Sequence, residues 1–211
     1  MTSETNSIDL IIFDMDGVLY HLDLNKRLTL MAECTGRSEA EINHKIWHSE
    51  FELKAEQGFY KTGSDYLAEF NEILGTNLTS DRWLELRASS MSPIPAMLEL
   101  CRLLSNKYKV ALLTNNGMLV EEGIKQRKIA PQLKEIFTVD IFASAELNAR
   151  KPDKDVYLNL CRKMKVPPHH ALMVDDKLEN VTGAQKAGLK GHHYQNTGNL
   201  VAYLQSLKIV C

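Results

Sequence analysis

Four short stretches of the 211-residue sequence carry side chains suited to chemistry: Asp14-Met15-Asp16-Gly17, Thr114-Asn115-Asn116, Arg150-Lys151-Pro152 and Asp175-Asp176. Brought together, the carboxylates of Asp14, Asp16, Asp175 and Asp176 would repel one another unless a hard divalent cation sat among them. Mg²⁺ suits a few carboxylates completed by waters and a phosphate. Thr114 adds a hydroxyl donor and Lys151 a positive charge, so cation, ammonium and hydroxyl make a cradle for a dianionic, tetrahedral group. Transfer of a phosphoryl group asks for positioning and charge neutralisation, with a nucleophile in line and a proton donor for the leaving oxygen. Asp14 and Asp16, two residues apart and on one face, can supply both. Taken singly, each stretch has a plainer structural reading as a helix cap, a solvated lysine or a loop. Their joint presence and order carry the chemical one.

Such residues must be positioned by the elements around them. The run Ile8 to Phe13, broken only by Asp9, reads as a strand buried on both faces, and Gly17 lets the chain leave it in a backbone conformation closed to other residues. Further strands are predicted over Lys109–Thr114, Val139–Ala143, Ala171–Val174 and His192–Tyr194. Helices are predicted from Ala96 to Ser105, after Asn116-Gly117, from Pro152-Asp153, after Asp175-Asp176, and from Gly198 to Leu207. This alternation implies right-handed crossovers and an α/β, Rossmann-like parallel sheet with helices on both faces. The carboxyl ends of its strands then share one edge, where open α/β sheets bind ligands.

Between the first and second strands the pattern turns helical. Leu24, Leu28 and Met31, then Ile42 and Ile46, then Leu67, Phe70, Ile73 and Leu74 mark apolar stripes, and four short helices are expected. Ser38 to Glu41 has the form of a capping box, Gly36 and Gly75 sit where helices stop, and Thr79 or Ser80 can cap the helix carrying Trp83. Trp47 and Trp83 read as interior residues of this block. The loop from Gln57 to Gly63 has a composition suited to a mobile or ligand-facing segment, an ordinary helix connection being the plainer alternative. Ser92-Pro93-Ile94-Pro95 reads as a hinge. The expected organisation is an α/β core from residues 1–20 and 93–211, with a small helical domain over 21–92.

Lys and Arg number 25 against 27 for Asp and Glu, a net charge of −2, so no bulk field argues for nucleic acid or an anionic membrane. The opening seven residues are polar, no run is long and apolar enough to span a bilayer, and Cys34, Cys101, Cys161 and Cys211 follow no metal-binding or disulfide spacing. A cytoplasmic protein with buried thiols and a small ligand is expected, monomeric or, as the alternative, dimeric. His169-His170 and His192-His193 point to opposite faces if extended, which suits packing rather than a metal. Tyr20 and His21 follow the first motif and could line a site entrance, with an ordinary loop role as the alternative.

The motifs Asp14-Met15-Asp16-Gly17-Val18-Leu19, Leu112-Leu113-Thr114-Asn115-Asn116, Arg150-Lys151-Pro152-Asp153 and Val174-Asp175-Asp176, the last followed by Glu179-Asn180-Val181 and Gly183-Ala184, resemble those of the haloacid dehalogenase-like (HAD) hydrolase superfamily. The likeness spans nearly the whole chain, and the helical block resembles that family's small C1-type cap. Bacterial sugar-phosphate phosphatases, and the amino-terminal phosphatase domain of soluble epoxide hydrolases, are the branch it is most similar to. The resemblance implies Asp14 as the nucleophile that forms an aspartyl-phosphate, and Asp16 as the acid and base. It implies Thr114 and the Asn115 backbone N–H on phosphate oxygens, and Lys151 as the offsetting charge. Mg²⁺ would be held by Asp14, the Asp16 carbonyl and Asp176, with Asp175 in support, the order of the last two being open. Asp16 argues against dehalogenation. A sugar phosphomutase of the same superfamily is an alternative, as is a non-catalytic phospho-aspartate switch, although receiver domains present their acid pair in another order. Specificity, for a sugar phosphate or other small phosphorylated metabolite, is expected from the Gly58 to Gly63 loop and His21.

Overall fold

The structure, a computed structural model, describes residues 7–209. Cys211 and the opening stretch as far as Asn6 lie outside them. Seven strands are present among the described residues: β1 (Leu10–Phe13), β2 (Tyr20–Leu22), β3 (Met91–Pro93), β4 (Lys109–Thr114), β5 (Ile141–Ala143), β6 (Ala171–Asp175) and β7 (Lys190–His193). Five form one parallel sheet in the order β5-β4-β1-β6-β7. The chain moves outward from β1 to β4 and β5, then crosses to the other side for β6 and β7. β1 is thus at the centre, flanked by strands whose connections run in opposite directions, which is where such sheets open a crevice. Alternation along β1 sends Ile11 and Phe13 into one apolar cluster and Leu10 and Ile12 into the other, one on each face of the sheet.

The helices are α1 (Leu24–Thr35), α2 (Glu39–Ile42), α3 (Glu50–Glu56), α4 (Gly63–Leu74) and α5 (Ser80–Ser89) in the inserted segment, and α6 (Pro95–Ser105), α7 (Met118–Lys125), α8 (Pro131–Phe137), α9 (Lys154–Met164), α10 (Leu178–Lys186) and α11 (Thr197–Ser206), which flank the sheet. The segment between β2 and β3 therefore holds five α-helices and a π-helical turn over Asn43–Trp47, where four helices are expected from sequence. Its stops and starts follow the anticipated chemistry. Gly36 and Gly75 close α1 and α4 in the left-handed conformation, and Ser38 and Thr79 accept from Glu41 N–H and Arg82 N–H. The strand expected from Val139 begins at Ile141, because Val139 is exposed and Asp140 N–H turns back to the Phe137 carbonyl.

The prolines after α5 lie in and beside a paired strand. Met91–Pro93 pairs antiparallel with Tyr20–Leu22, and Asp23 N–H to Ser90 O (2.9 Å) and Ile94 N–H to Leu19 O (2.9 Å) extend the ladder. Pro93 is tolerated because each strand of a two-stranded ribbon is an edge. The loop Gln57 to Gly63 joins α3 to α4 as a plain helix connection, and it is docked rather than free. Lys61 Nζ donates to Asn148 Oδ1 (3.0 Å), Gly63 N–H donates to Glu122 Oε1 (2.9 Å), and a Cβ at Gly58 would strike the Ala145 carbonyl. Nearby, Glu56 receives Arg150 Nε, and its carbonyl receives Ser144 Oγ–H.

One buried acid ties α7 to the sheet. Glu121 accepts Ala143 N–H (2.7 Å) and Lys125 Nζ (2.6 Å). Burial pushes its carboxyl up to about 7, Lys125 and the Ala143 N–H opposing and Glu146 adding to the rise. A carboxyl raised in the folded state contributes stability that is fully present below its unfolded pKa of about 4.5 and is lost as pH rises through about 7. Glu121→Gln keeps an oxygen for Ala143 and loses the charge. The drop in Tm between pH 5 and pH 8, measured by thermal unfolding, is expected to be smaller in this variant than in the wild type.

Candidate active site

The sheet register brings three of the four motif stretches to one level. Phe13 pairs with Leu112 and with Val174, so Asp14, Leu113-Thr114 and Asp175 emerge side by side at the carboxyl edge. The fourth, Lys151, arrives from the loop before α9 and is almost wholly buried beneath them. Its Nζ is 2.8 Å from Asp14 Oδ1 and 2.7 Å from Asp175 Oδ2, and donates to the Leu113 carbonyl at 3.1 Å. The Asn115 side chain fixes this loop by donating to the Lys151 carbonyl (2.9 Å) and accepting Lys151 N–H (2.8 Å).

Asp14 Oδ1 also accepts Met15 N–H at 2.8 Å, and among the described residues no donor reaches Oδ2. Burial pushes the Asp14 carboxyl up to about 7; Lys151 opposes this, while Asp175 and Asp16 add to it. Burial alone would pull Lys151 down, but Asp14 and Asp175 outweigh it and hold the ammonium above its ordinary value. One cation is thus shared between two buried carboxylates.

Thr114 is buried at the end of β4. Its Oγ1 accepts Asn116 Nδ2 at 2.7 Å, which orients the hydroxyl so that its own hydrogen is available. Asp175 is fully engaged: Oδ2 faces Lys151, and Oδ1 accepts Lys177 N–H and Asn180 Nδ2, both at 2.9 Å. Asp176 differs. Its Oδ1 is buried with no partner among the described residues, and burial followed by the neighbouring Asp175 raises its carboxyl. His193 Nε2 lies 2.9 Å from the Asp176 carbonyl, and a Cβ at Gly17, whose φ is +85°, would run into the Asp176 carboxylate. Asp14, Asp175 and Asp176 each offer an oxygen within 4.8 Å of the others. Three acids with one lysine and an orphaned carboxylate oxygen are a donor set that fits a hard divalent cation.

Asp16 stands apart. Its carboxylate is gripped by Arg87 of α5, whose Nη2 lies 2.9 Å from Oδ1 and 2.7 Å from Oδ2. Arg87 is 1% exposed and was not among the residues singled out in the sequence, nor were Asn116 and Asn180 in their supporting roles. Both asparagines sit inside the motif stretches, which was the available signal. Arg87 offered none, since an arginine on a polar helix reads as solvated. His21 is exposed on the ribbon, while Tyr20 is buried and donates its hydroxyl to Gln132 (2.6 Å). Of the two histidine pairs, His170 meets Asp9 at 2.7 Å in an exposed contact, His169 is exposed, His192 stacks on Tyr203 and His193 lies against the Asp176 carbonyl.

Residues 8–188 match the family described as haloacid dehalogenase-like hydrolase. A sesquiterpene phosphatase of Aspergillus oryzae is 27% identical over 186 residues, covering 86% of this chain and 87% of the relative. A phosphatase of Mycobacterium tuberculosis is 25% identical over 201 residues, covering 91% and 89%. Among solved structures, a HAD family enzyme of Bacteroides thetaiotaomicron in complex with magnesium and inorganic phosphate superposes with a TM-score of 0.75 at 19% identity, over 92% of this chain and 99% of that one. A HAD-like hydrolase of Porphyromonas gingivalis gives 0.78 at 22% identity, over 97% and 99%.

Proposed function

The chain belongs to the haloacid dehalogenase-like hydrolase family, and from that premise we propose that it is a Mg²⁺-dependent phosphatase acting on a small phosphomonoester through an aspartyl-phosphate at Asp14. The observation that carries the reading is the placement of Asp14. It sits at the carboxyl end of the central strand with Oδ1 held by Met15 N–H and Lys151 and with Oδ2 left to react. The phosphatases among the relatives support the reaction class, and the magnesium and phosphate held by the Bacteroides enzyme support the cofactor.

Asp14 Oδ2 attacks phosphorus as the bond to the leaving oxygen breaks, and Asp16 gives that oxygen its proton. Asp16 then takes a proton from water, whose oxygen attacks phosphorus and breaks the bond to Asp14, so the enzyme is regenerated. Thr114 Oγ–H and the Asn115 N–H hold the phosphoryl oxygens, while Lys151 favours the ionised form of Asp14 against its burial and offsets the charge that accumulates on the equatorial oxygens. Asp14, the Asp16 carbonyl and Asp176 would hold Mg²⁺, with Asp175, occupied by Lys151, Lys177 and Asn180, orienting the lysine. The ion would supply Lewis-acid neutralisation of the phosphoryl group.

On this reading residues 21–92 are a cap over the core of 1–20 and 93–211, and exclude bulk water while the phosphoryl group moves. The loop docked on Asn148, Glu122 and Ala145 then serves as the cap's anchor. Selection of the substrate falls to groups facing Asp16. A sugar phosphate is favoured by family likeness, and Cys34, Cys101 and Cys161, dispersed and free among the described residues, support a cytoplasmic setting.

Purified protein is expected to release phosphate from a generic aryl phosphate with Mg²⁺, to lose this in excess EDTA and to regain it when Mg²⁺ is restored. Unchanged turnover after thorough chelation sinks the metal assignment. Isomerisation of a sugar phosphate without net phosphate release would identify a mutase instead.

A further inference from the structure

Five buried N–H donors on four residues of the helical segment have no acceptor among the described residues: Arg27 Nε, Arg87 Nε and Nη1, and the indole Nε1 of Trp47 and Trp83. They form one cluster. The Arg27 guanidinium lies 4.7 Å from the Trp47 ring centroid and 5.2 Å from that of Trp83. Burial brings Arg27 down to about 10, and the charge of Arg87 contributes in the same direction, so the two cations sense each other. Arg87 is in turn the residue on Asp16. The other nearby acid is Glu52, which accepts the Tyr66 hydroxyl at 3.1 Å and which burial raises toward its neutral form.

Buried polar groups in folded proteins nearly always find partners, so a concentration of orphan donors calls for an explanation. Two arginines and two indoles have only hydrogens to offer, and what they lack is a set of acceptor oxygens, best of all an anion. Position adds the rest. If Asp16 protonates the leaving oxygen, as the phosphatase reading on which this inference rests requires, the group touching Asp16 meets the part of the substrate just beyond that oxygen.

We propose that Arg87, with Arg27 behind it, forms a subsite for a second anionic group, a carboxylate or another phosphate, on the alcohol half of the substrate. The planar guanidinium donates two parallel hydrogen bonds to either anion. An anion arriving there takes over Nη2 from Asp16 and gives an acceptor to the nitrogen beside it on the same edge, Nε or Nη1. The same exchange frees the Asp16 carboxyl to approach the leaving oxygen, so a substrate with the second charge also releases the acid. A neutral polyol offers weaker acceptors, and an apolar chain offers none.

The test compares matched esters that differ only in this charge, with the full-length protein and Mg²⁺. Phosphoglycerate against glycerol phosphate probes a carboxylate, and fructose bisphosphate against fructose monophosphate probes a phosphate. In at least one pair the charged member is expected to have the higher kcat/KM, by roughly tenfold to a hundredfold, the scale of a charge-assisted hydrogen bond. The pair showing it names the anion. Arg87→Gln and Arg27→Gln should each shrink this ratio, chiefly through KM of the charged member, and Arg87→Lys should keep part of it. Equal kcat/KM within both pairs in the wild type overturns the subsite even if both variants fail to fold, and leaves the phosphatase reading standing. A preference that survives both Gln substitutions in folded protein also overturns it. Absence of phosphate release from every ester, the aryl phosphate included, overturns the phosphatase reading and the subsite with it.

Discussion

Asp14→Asn is expected to lower kcat for phosphate release on the order of 10⁴-fold or more, the scale of loss when a covalent nucleophile is removed. The amide has nearly the shape of the acid but cannot carry the phosphoryl group as a carboxylate does. The surroundings survive the change. Asn Oδ1 can still accept Met15 N–H, and Lys151 still has Asp175 Oδ2 and the Leu113 carbonyl. The substitution also removes a carboxylate that burial holds at about 7, so ionising it at pH 8 works against the native state. The variant should therefore melt no lower than the wild type at pH 8. Both quantities come from one preparation, by a saturating-substrate assay and a thermal melt. Near-normal turnover in folded Asp14→Asn would rule out the covalent route.

Lys151→Met is expected to be the most destabilising of the site substitutions. Lys151 is buried between two carboxylates, and its removal leaves Asp14 and Asp175 without a counter-charge in a region shielded from water. Breaking a buried ion pair by deleting one partner costs about 3–5 kcal/mol, a large fraction of the ~5–15 kcal/mol that holds a domain together. Methionine fills the volume of the lysine stem, so the loss reports charge rather than a cavity. The penalty should shrink at low pH, where Asp14, raised to about 7 by burial, takes up a proton. Urea unfolding at pH 5 and pH 8, in EDTA, checks both statements; a loss under about 1 kcal/mol at pH 8 would show that the ammonium is not the group holding the acids together.

Much of this fold can be read from one sequence because parallel strands buried on both faces leave long apolar runs, and here those runs end in Asp14, Thr114 and Asp175. The sites that need distant partners are less visible. Lys151 and Asp176 are identifiable as chemical residues, yet only the register of Phe13 with Val174 decides that Asp175 is spent on Lys151 while Asp176 keeps an oxygen. Arg87 lies in α5 between Leu86 and Ala88, where helical spacing gives no hint that it is more deeply buried than most leucines. Its meaning comes from Asp16, 71 residues earlier. The loop from Gln57 to Gly63 is legible only as a helix connection. Its docking partners are distant in sequence, and a side chain at Gly58 would strike the Ala145 carbonyl. The short helices α2, α3 and α8 are blurred for a simpler reason, being four to seven residues long and too brief to display a period.

The central claim is that phosphorus passes through Asp14 before it reaches water. It is tested most directly by the stereochemical course at phosphorus, with a phosphomonoester made chiral by the three isotopes of oxygen and an acceptor alcohol to capture the phosphoryl group. Two successive in-line displacements, first by Asp14 Oδ2 and then by the acceptor, predict net retention of configuration. Net inversion would mean that the acceptor attacks the substrate itself, and would contradict the account.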